Sequence, residues 1–273
     1  MKTILAPTDF STSSINAVNY AADLALSINA NLVLFHAIPF PIAVSEISVP
    51  GDFIDDMMEA AQKGMEELCR NIRSRTESKI SVKTDIAVGS VEKEIENISS
   101  KEKPLAIVLS IRNGKSLEKA LMGSSVFHIM NHIGYPTLIV PDNARFDEIK
   151  NIGLACDFKK SNGEIPFETI TEWLSLFKAN IEIINVANNK DFKAEQLAGS
   201  TSIETRLHSF RPHFNFLIGD NMADELNDFV NAHPLDLLMV FPGKHGIFSL
   251  FHKSKSRFII NNSQLPILSI RNC

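Results

Sequence analysis

Apolar residues fall in short runs divided by stretches of helical spacing, and the alternation holds for the whole chain. "TILAP" from Thr3 and "LVLFHAI" from Leu32 are β-rich runs. Between them Ala17, Ala21, Leu24, Ala25 and Ile28 recur at helical spacing behind the candidate caps Ser11 and Ser13. Residues 51–75 set Met57, Ala61, Leu68 and Ile72 on one face of a longer helix, while 39–52, with three prolines, reads as a surface loop. "KISVKTDIAVG" alternates Ile80, Val82, Ile86 and Val88 at period two, and Val91, Ile95 and Ile98 space a short helix. The strand "LAIVLS", a loop, a helix from about Ser124 and the strand "TLIVP" complete the series. Such alternation predicts a doubly wound parallel sheet of the α/β class.

The second half repeats that order. "NIGLACDF" from Asn151 echoes "KTILAPTDF" from Lys2, with Asp157 in the place of Asp9, and "NIEIINVA" from Asn180 echoes "NLVLFHAI" from Asn31. Pro104 of "PLAIVLS" matches Pro234 of "PLDLLMV", and Pro136 of "YPTLIV" matches Pro266 of "LPILSI", each 130 residues on, which predicts an ungapped interval. The repeat implies two Rossmann-like domains of one fold, residues 1–145 and 146–273, divided near Pro141–Lys150 and related as an internal pseudo-dimer. Residues 187–210 are polar and are expected to hold one helix.

A chain of 273 residues, 44 % hydrophobic, can bury a substantial core. Its net charge is −5, spread as −3 over residues 1–145 and −2 over the rest, so no basic half or tail invites a nucleic acid or an acidic membrane. Cys69, Cys156 and Cys273 are too few and too scattered for a disulfide framework or a cysteine zinc site. The first residues are too short an apolar run for a signal-peptide core. The longest apolar stretch, Leu32 to Val44, contains Pro39 and Pro41 and falls short of a membrane span. A cytoplasmic protein is the expectation.

"LMGSSVFH", Leu121 to His128, looks like a glycine turn opening a helix with Ser124 and Ser125 in its first turn. Such a start can hold a phosphate on its free N–H groups, or Ser124 serves as an ordinary cap. With an aspartate ending strand one in "PTDFS" and this glycine turn between strands four and five, the chain resembles the universal stress protein family, as a tandem pair of its domains. The resemblance implies five-stranded parallel sheets covered on both faces, with two domains pairing through their last strands. Some members of the family bind ATP. Binders are similar in carrying Gly-x2-Gly-x9-Gly-Ser/Thr after strand four, an aspartate facing the adenine, and backbone groups after strand two.

Carried across, those features imply a cofactor site at Pro7, Thr8 and Asp9, at Ala37 and Ile38, and at Ser110, Asn113, Gly123, Ser124 and Ser125. The final Gly-Ser survives, but Ser110 and Asn113 replace both earlier glycines. Glycine serves there where φ is positive or where phosphate touches the backbone, a conformation asparagine tolerates, while the Ser110 side chain either intrudes on the phosphates or donates a hydrogen bond to them. In the second half, 130 residues on, the equivalents are Val240, Gly243, Lys253 and Ser254, a further departure. The basic groups of "GKHG" (243–246) and "HKS" (252–254) either bind an anion or form a solvated loop.

Other constellations read as structural. His128 and His132, at i and i+4, lack an acidic or cysteine partner in sequence for a metal. His208, Arg211 and His213 lie in a loop entering a strand, and Asp157 is expected to cap a helix. No G-x-S-x-G, Walker A or metalloprotease helix occurs, and Phe241, Phe248, Phe251 and Phe258 suggest an apolar loop surface. The expected function is a non-enzymatic stress-response module that binds or signals through a protein partner, with nucleotide binding weakened or lost. The alternative is an ATP or AMP sensor using the loop Ser110 to Ser125. An exposed sheet edge makes a homodimer plausible, and no metal is expected. If the missing glycines are the defect, Ser110→Gly with Asn113→Gly raises ATP affinity in calorimetric titration; unchanged affinity refutes that assignment.

Overall fold

The computed structural model describes residues 1–39, 52–111, 124–156, 165–187, 194–218, 222–241 and 265–271. The first half runs β1 (Thr3–Pro7), α1 (Thr12–Ser27), β2 (Asn31–Ile38), α2 (Asp52–Arg75), β3 (Val82–Val88), α3 (Val91–Glu102), β4 (Ala106–Ile111), α4 (Ser124–His132) and β5 (Thr137–Pro141). The second runs β6 (Asn151–Cys156), α5 (Phe167–Phe177), β7 (Asn180–Ala187), α6 (Ala194–Leu207), β8 (His213–Ile218), α7 (Met222–Ala232), β9 (Leu237–Val240) and β10 (Ile267–Ser269). The polar stretch expected to hold one helix holds α6, followed by a 3-10 turn at His208–Phe210.

Local chemistry sets several boundaries. Ser11 begins α1 by accepting the Ser14 N–H on its Oγ at 3.3 Å, and Asn29, at φ 51°, turns the chain after it. Ser90 caps α3 through the Lys93 N–H, and Lys103 ends it in the left-handed region.

Within each half all strands are parallel, and the halves fuse into one ten-stranded sheet of order β3-β2-β1-β4-β5-β10-β9-β6-β7-β8. The seam is the single antiparallel pair, β5 with β10, in which Ile267 faces Ile139, Leu268 faces Leu138 and Ser269 faces Thr137. Pro266 is the counterpart of Pro136, so Leu268 pairs with its own equivalent. That is the self-complementary contact a two-fold axis produces, here within one chain.

Ladder hydrogen bonds correct the ungapped match at the fourth strand. The Pro136 carbonyl accepts from the Ile107 N–H and the Pro266 carbonyl from the Leu238 N–H, which makes Leu238, 131 residues on, the counterpart of Ile107. The Leu105 N–H to Thr3 and the Asp236 N–H to Asn151 give the same answer. Pro104 therefore corresponds to Leu235, not Pro234. The physical reason is alternation: a slip of one residue would turn Leu237 and Met239 away from the face on which they are buried with Ala106 and Val108.

Helices cover both faces. On one, α1, α2, α5 and α6 share a core that crosses the seam, from Leu24 and Ile72 through Leu138 and Leu268 to Trp173 and Ile203. On the other, α3 and α4 bury Ile95 and Ile129 over Leu5, Phe35 and Leu109, while α7 buries Leu226 and Phe229 with Ile267 and Met130 of α4. Leu268→Ala removes a fully buried side chain at the seam and is expected to cost about 2–5 kcal/mol in urea unfolding. A loss below about 1 kcal/mol would contradict a seam that is part of the core.

Candidate functional site

In the first half the strand order reverses between β1 and β4, and a cleft opens beyond the carboxyl ends of the strands there. β1 leads into it through Pro7, Thr8 and Asp9, β2 contributes Ala37 and β4 contributes Ser110. Its walls are apolar: Phe35, Leu109, Val91 and Ile95 of α3, and Val126 and Ile129 of α4.

The turn after β1 is held by its own polar groups. The Thr8 N–H donates to the Phe35 carbonyl at 2.8 Å, and the Thr8 hydroxyl accepts the Phe10 N–H and lies 3.0 Å from the Ser14 hydroxyl. His36 Nδ1 donates to the Thr8 carbonyl at 2.7 Å, with its ring 4.6 Å from that of Phe10. Phe10 itself adopts φ 60°. Asp9 Oδ1 accepts the Ser11 N–H at 3.0 Å, so Asp9 closes a turn and leaves the helix cap to Ser11. Partial burial alone would raise its pKa, but hydrogen bonds from Ser11 and Ser14 outweigh it and hold the carboxyl below its ordinary value. Asp9 is thus an exposed, ionised acceptor at the mouth of the cleft.

Just past β1 the edge of β2 is free. The Ile38 carbonyl accepts the Gly89 N–H on the β3 side. By the alternation of a parallel ladder, the N–H and C=O of Ala37 point to the β1 side, beyond Pro7, where β1 ends.

The start of α4 carries an acidic neighbour. Ser125 Oγ donates to Glu92 Oε1, in the first turn of α3, at 2.6 Å. This hydroxyl, with a backbone N–H and a smaller contribution from His128, lowers the Glu92 pKa against partial burial. Asp9 is the one charged side chain among the described lining residues, and no basic group accompanies it there.

Of the expected site residues, Pro7, Thr8, Asp9, Ala37, Ser110 and Ser125 meet in the cleft. Ile38 is buried beside it, and Ser124 is exposed as the first residue of α4. Gly123 and Asn113 lie outside the described residues. Sequence reasoning missed Glu92. An acidic residue in a helix's first turn is explained by the helix dipole alone, and no spacing links it to Ser125, 33 positions on.

The corrected register also changes the second half. The counterpart of Ser110 is Phe241, which packs against the core shared by the two halves, whereas Val240 corresponds to Leu109. Asp157, the basic runs 243–246 and 252–254, and Phe248, Phe251 and Phe258 lie outside the described residues. His128 and His132 stack at 4.3 Å, and His132 Nδ1 donates to the His128 carbonyl. His208 Nδ1 donates to Thr205, Arg211 takes φ 51°, and His213 meets Glu182 at 2.9 Å. Among the described residues no cluster of three His, Cys, Asp or Glu side chains could hold a metal ion. No helix there is long and apolar enough to cross a membrane.

The profile of the universal stress protein family matches residues 1–141, and the chain belongs to that family. A universal stress protein from Archaeoglobus fulgidus DSM 4304 shares 18 % identity with it at a TM-score of 0.72, over 99 % of this chain and 96 % of that one. A functionally unknown protein from Pseudomonas aeruginosa PAO1 shares 14 % identity at a TM-score of 0.63, over 99 % and 92 %. No curated protein matches the sequence.

The Glu92 carboxylate gains in the folded state, so its contribution to stability is present above its unfolded pKa of about 4.3 and is lost as pH falls through the lowered value. Ser125→Ala is expected to move the Glu92 titration, followed by carboxyl NMR, upward towards the ordinary value. An unmoved titration would mean that the hydroxyl does not hold the charge.

Proposed function

We propose that the chain is a non-enzymatic stress-response binding module of two units, residues 1–145 and 146–273, in which the first-half cleft takes an adenine-type base but grips phosphate weakly. The observation that carries this reading is the Glu92 carboxylate bonded to Ser125 at the start of α4. A phosphate placed on that helix start meets a like charge. That repulsion, screened by solvent because Glu92 is only partly buried, opposes the attraction a phosphate would gain from the helix dipole and the free N–H groups.

The base end is better furnished. Asp9 offers a carboxylate acceptor to an exocyclic amine, Ala37 offers a backbone donor and acceptor, and the walls are apolar enough for a flat ring. In the second half, Phe241 stands at the position equivalent to Ser110 and packs against the core. A protein partner, or a second copy meeting the edge strand β8 where Phe216 stands 45 % exposed, is the expected recipient of any signal.

A second reading, an ATP or AMP sensor, rests on Asp9, Ala37 and Ser110 sharing one cleft beside a helix start. Occupancy then shifts an equilibrium only if the nucleotide prefers one state. Calorimetric titration of nucleotide-stripped protein separates the two. Adenosine should bind at least as well as ATP, Asp9→Ala should abolish both, and Glu92→Gln should raise ATP affinity at least tenfold. Tight ATP binding that Glu92→Gln leaves unchanged would reject the weakened-phosphate reading and make the sensor the leading one.

A further inference from the structure

The antiparallel seam has a cleft at each end, and the internal two-fold exchanges them. One, of about 900 Å³, is lined by Met1, Lys2, Pro104, Leu105, Pro136 and Glu172 among others. The other, of about 1030 Å³, is lined by Ile149, Leu235, Asp236 and Pro266 in the places of Met1, Pro104, Leu105 and Pro136, and also by Tyr20 and Arg145. The first is closed by an ion pair between Lys2 and Glu172 of α5.

The second cleft is not closed in that way. Lys150 is the counterpart of Lys2, since the Asn31 N–H donates to the Lys2 carbonyl and the Asn180 N–H to the Lys150 carbonyl. Its ammonium is turned instead to Glu148 at 2.9 Å. Leu105 is replaced by Asp236, whose Oδ2 accepts the Lys150 and Asn151 N–H groups at 2.8 Å each, leaving Oδ1 as a fixed acceptor. Tyr20 lines the same cleft at 3 % exposure, its ring edge-on to Phe146 at 5.3 Å, and its hydroxyl has no hydrogen-bond partner among the described residues. The side chain is buried but lines the cleft, so this hydroxyl is available there to a ligand as donor or acceptor. Burial and the Asp236 charge also keep this phenol protonated, with its oxygen free to accept.

Lys150 stands beside this cleft but is engaged by Glu148, with Asp147 and Asp236 also in its field, so the carboxylates remain in excess. Asp147, Glu148 and Asp236 outnumber Arg145, which has no ion-pair partner among the described residues. The wall itself is firm: Asn16 Nδ2 donates to the carbonyls of Pro141 and Ala144 at 3.2 and 2.9 Å, pinning the segment that carries Arg145.

We propose that this seam cleft binds a small metabolite through a primary ammonium group held between the Tyr20 hydroxyl and the Asp236 carboxylate. An amine and an amino acid both supply that group. Arg145 distinguishes them, because it can pair only with the carboxylate of an amino acid.

The test is calorimetric titration of the full chain with putrescine and with ornithine, which is putrescine bearing a carboxylate, and with the diol analogue of putrescine as control. Saturable binding of at least one amine, none of the diol, and a loss of about tenfold or more in Tyr20→Phe are expected. Asp236→Asn should act likewise. Because it also disturbs two backbone hydrogen bonds, Tyr20→Phe, which removes one oxygen from an otherwise unchanged ring, carries the decision. Weakening of ornithine alone by Arg145→Gln assigns the site to amino acids, and its indifference to both ligands assigns it to amines. Absence of saturation by either probe at millimolar concentration, or binding that Tyr20→Phe leaves intact, overturns the proposal.

Discussion

The pairing of β5 with β10 is the constraint on which the architecture depends. Each half alone would leave its last strand as an open edge beside β4 or β9, and an unpaired edge is a template for association. Setting Leu138 against Leu268 closes both edges at once and makes the chain its own partner. Because α1, α2, α5 and α6 share one face, the axis runs through the sheet rather than along it, and the strands of the two halves point opposite ways. The carboxyl ends of β1 and β6 therefore lie at opposite ends of the sheet. No single ligand can bridge the two strand-end sites.

The symmetry is one of backbone, and the sequence breaks it at the places where ligands would sit. Ser110 corresponds to Phe241, Leu105 corresponds to Asp236, and Lys2 and Lys150 occupy matched positions with different partners. A parallel ladder asks only for alternation and an apolar inner face, so side chains beyond the strand ends are free to diverge. That freedom explains how the fold can be retained while each half takes a different chemistry.

What could be read from sequence follows the same division. The alternation of "TILAP", "LVLFHAI" and their echoes at Asn151 and Asn180 is enough to predict the class, the succession of strands and helices along the chain and the repeat, because period and run length reflect burial directly. The register of β9 was not readable, since matching prolines at 104 and 234 say nothing about which carbonyl a strand will find. At the site, Asp9, Ala37 and Ser110 were legible as strand-end positions. Glu92 was not, because its importance comes from a helix on the facing side. Tyr20 sits within an apolar helical stripe, and only the fold shows that its hydroxyl reaches a cleft between the halves.

The electrostatics of the first cleft are fixed rather than adjustable. A carboxylate with a raised pKa near a phosphate site could be protonated at neutral pH and let the anion in. Glu92 is shifted the other way, by the Ser125 hydroxyl above all, so it stays charged down into the acid range. A phosphate that recruited the Ser125 hydroxyl would take from Glu92 its strongest donor, losing one charge-assisted hydrogen bond to make another. On the reading proposed above, that exchange gains little and the repulsion remains. For a neutral or cationic ligand the same carboxylate carries no such penalty, and the apolar walls and the Asp9 acceptor remain available to it.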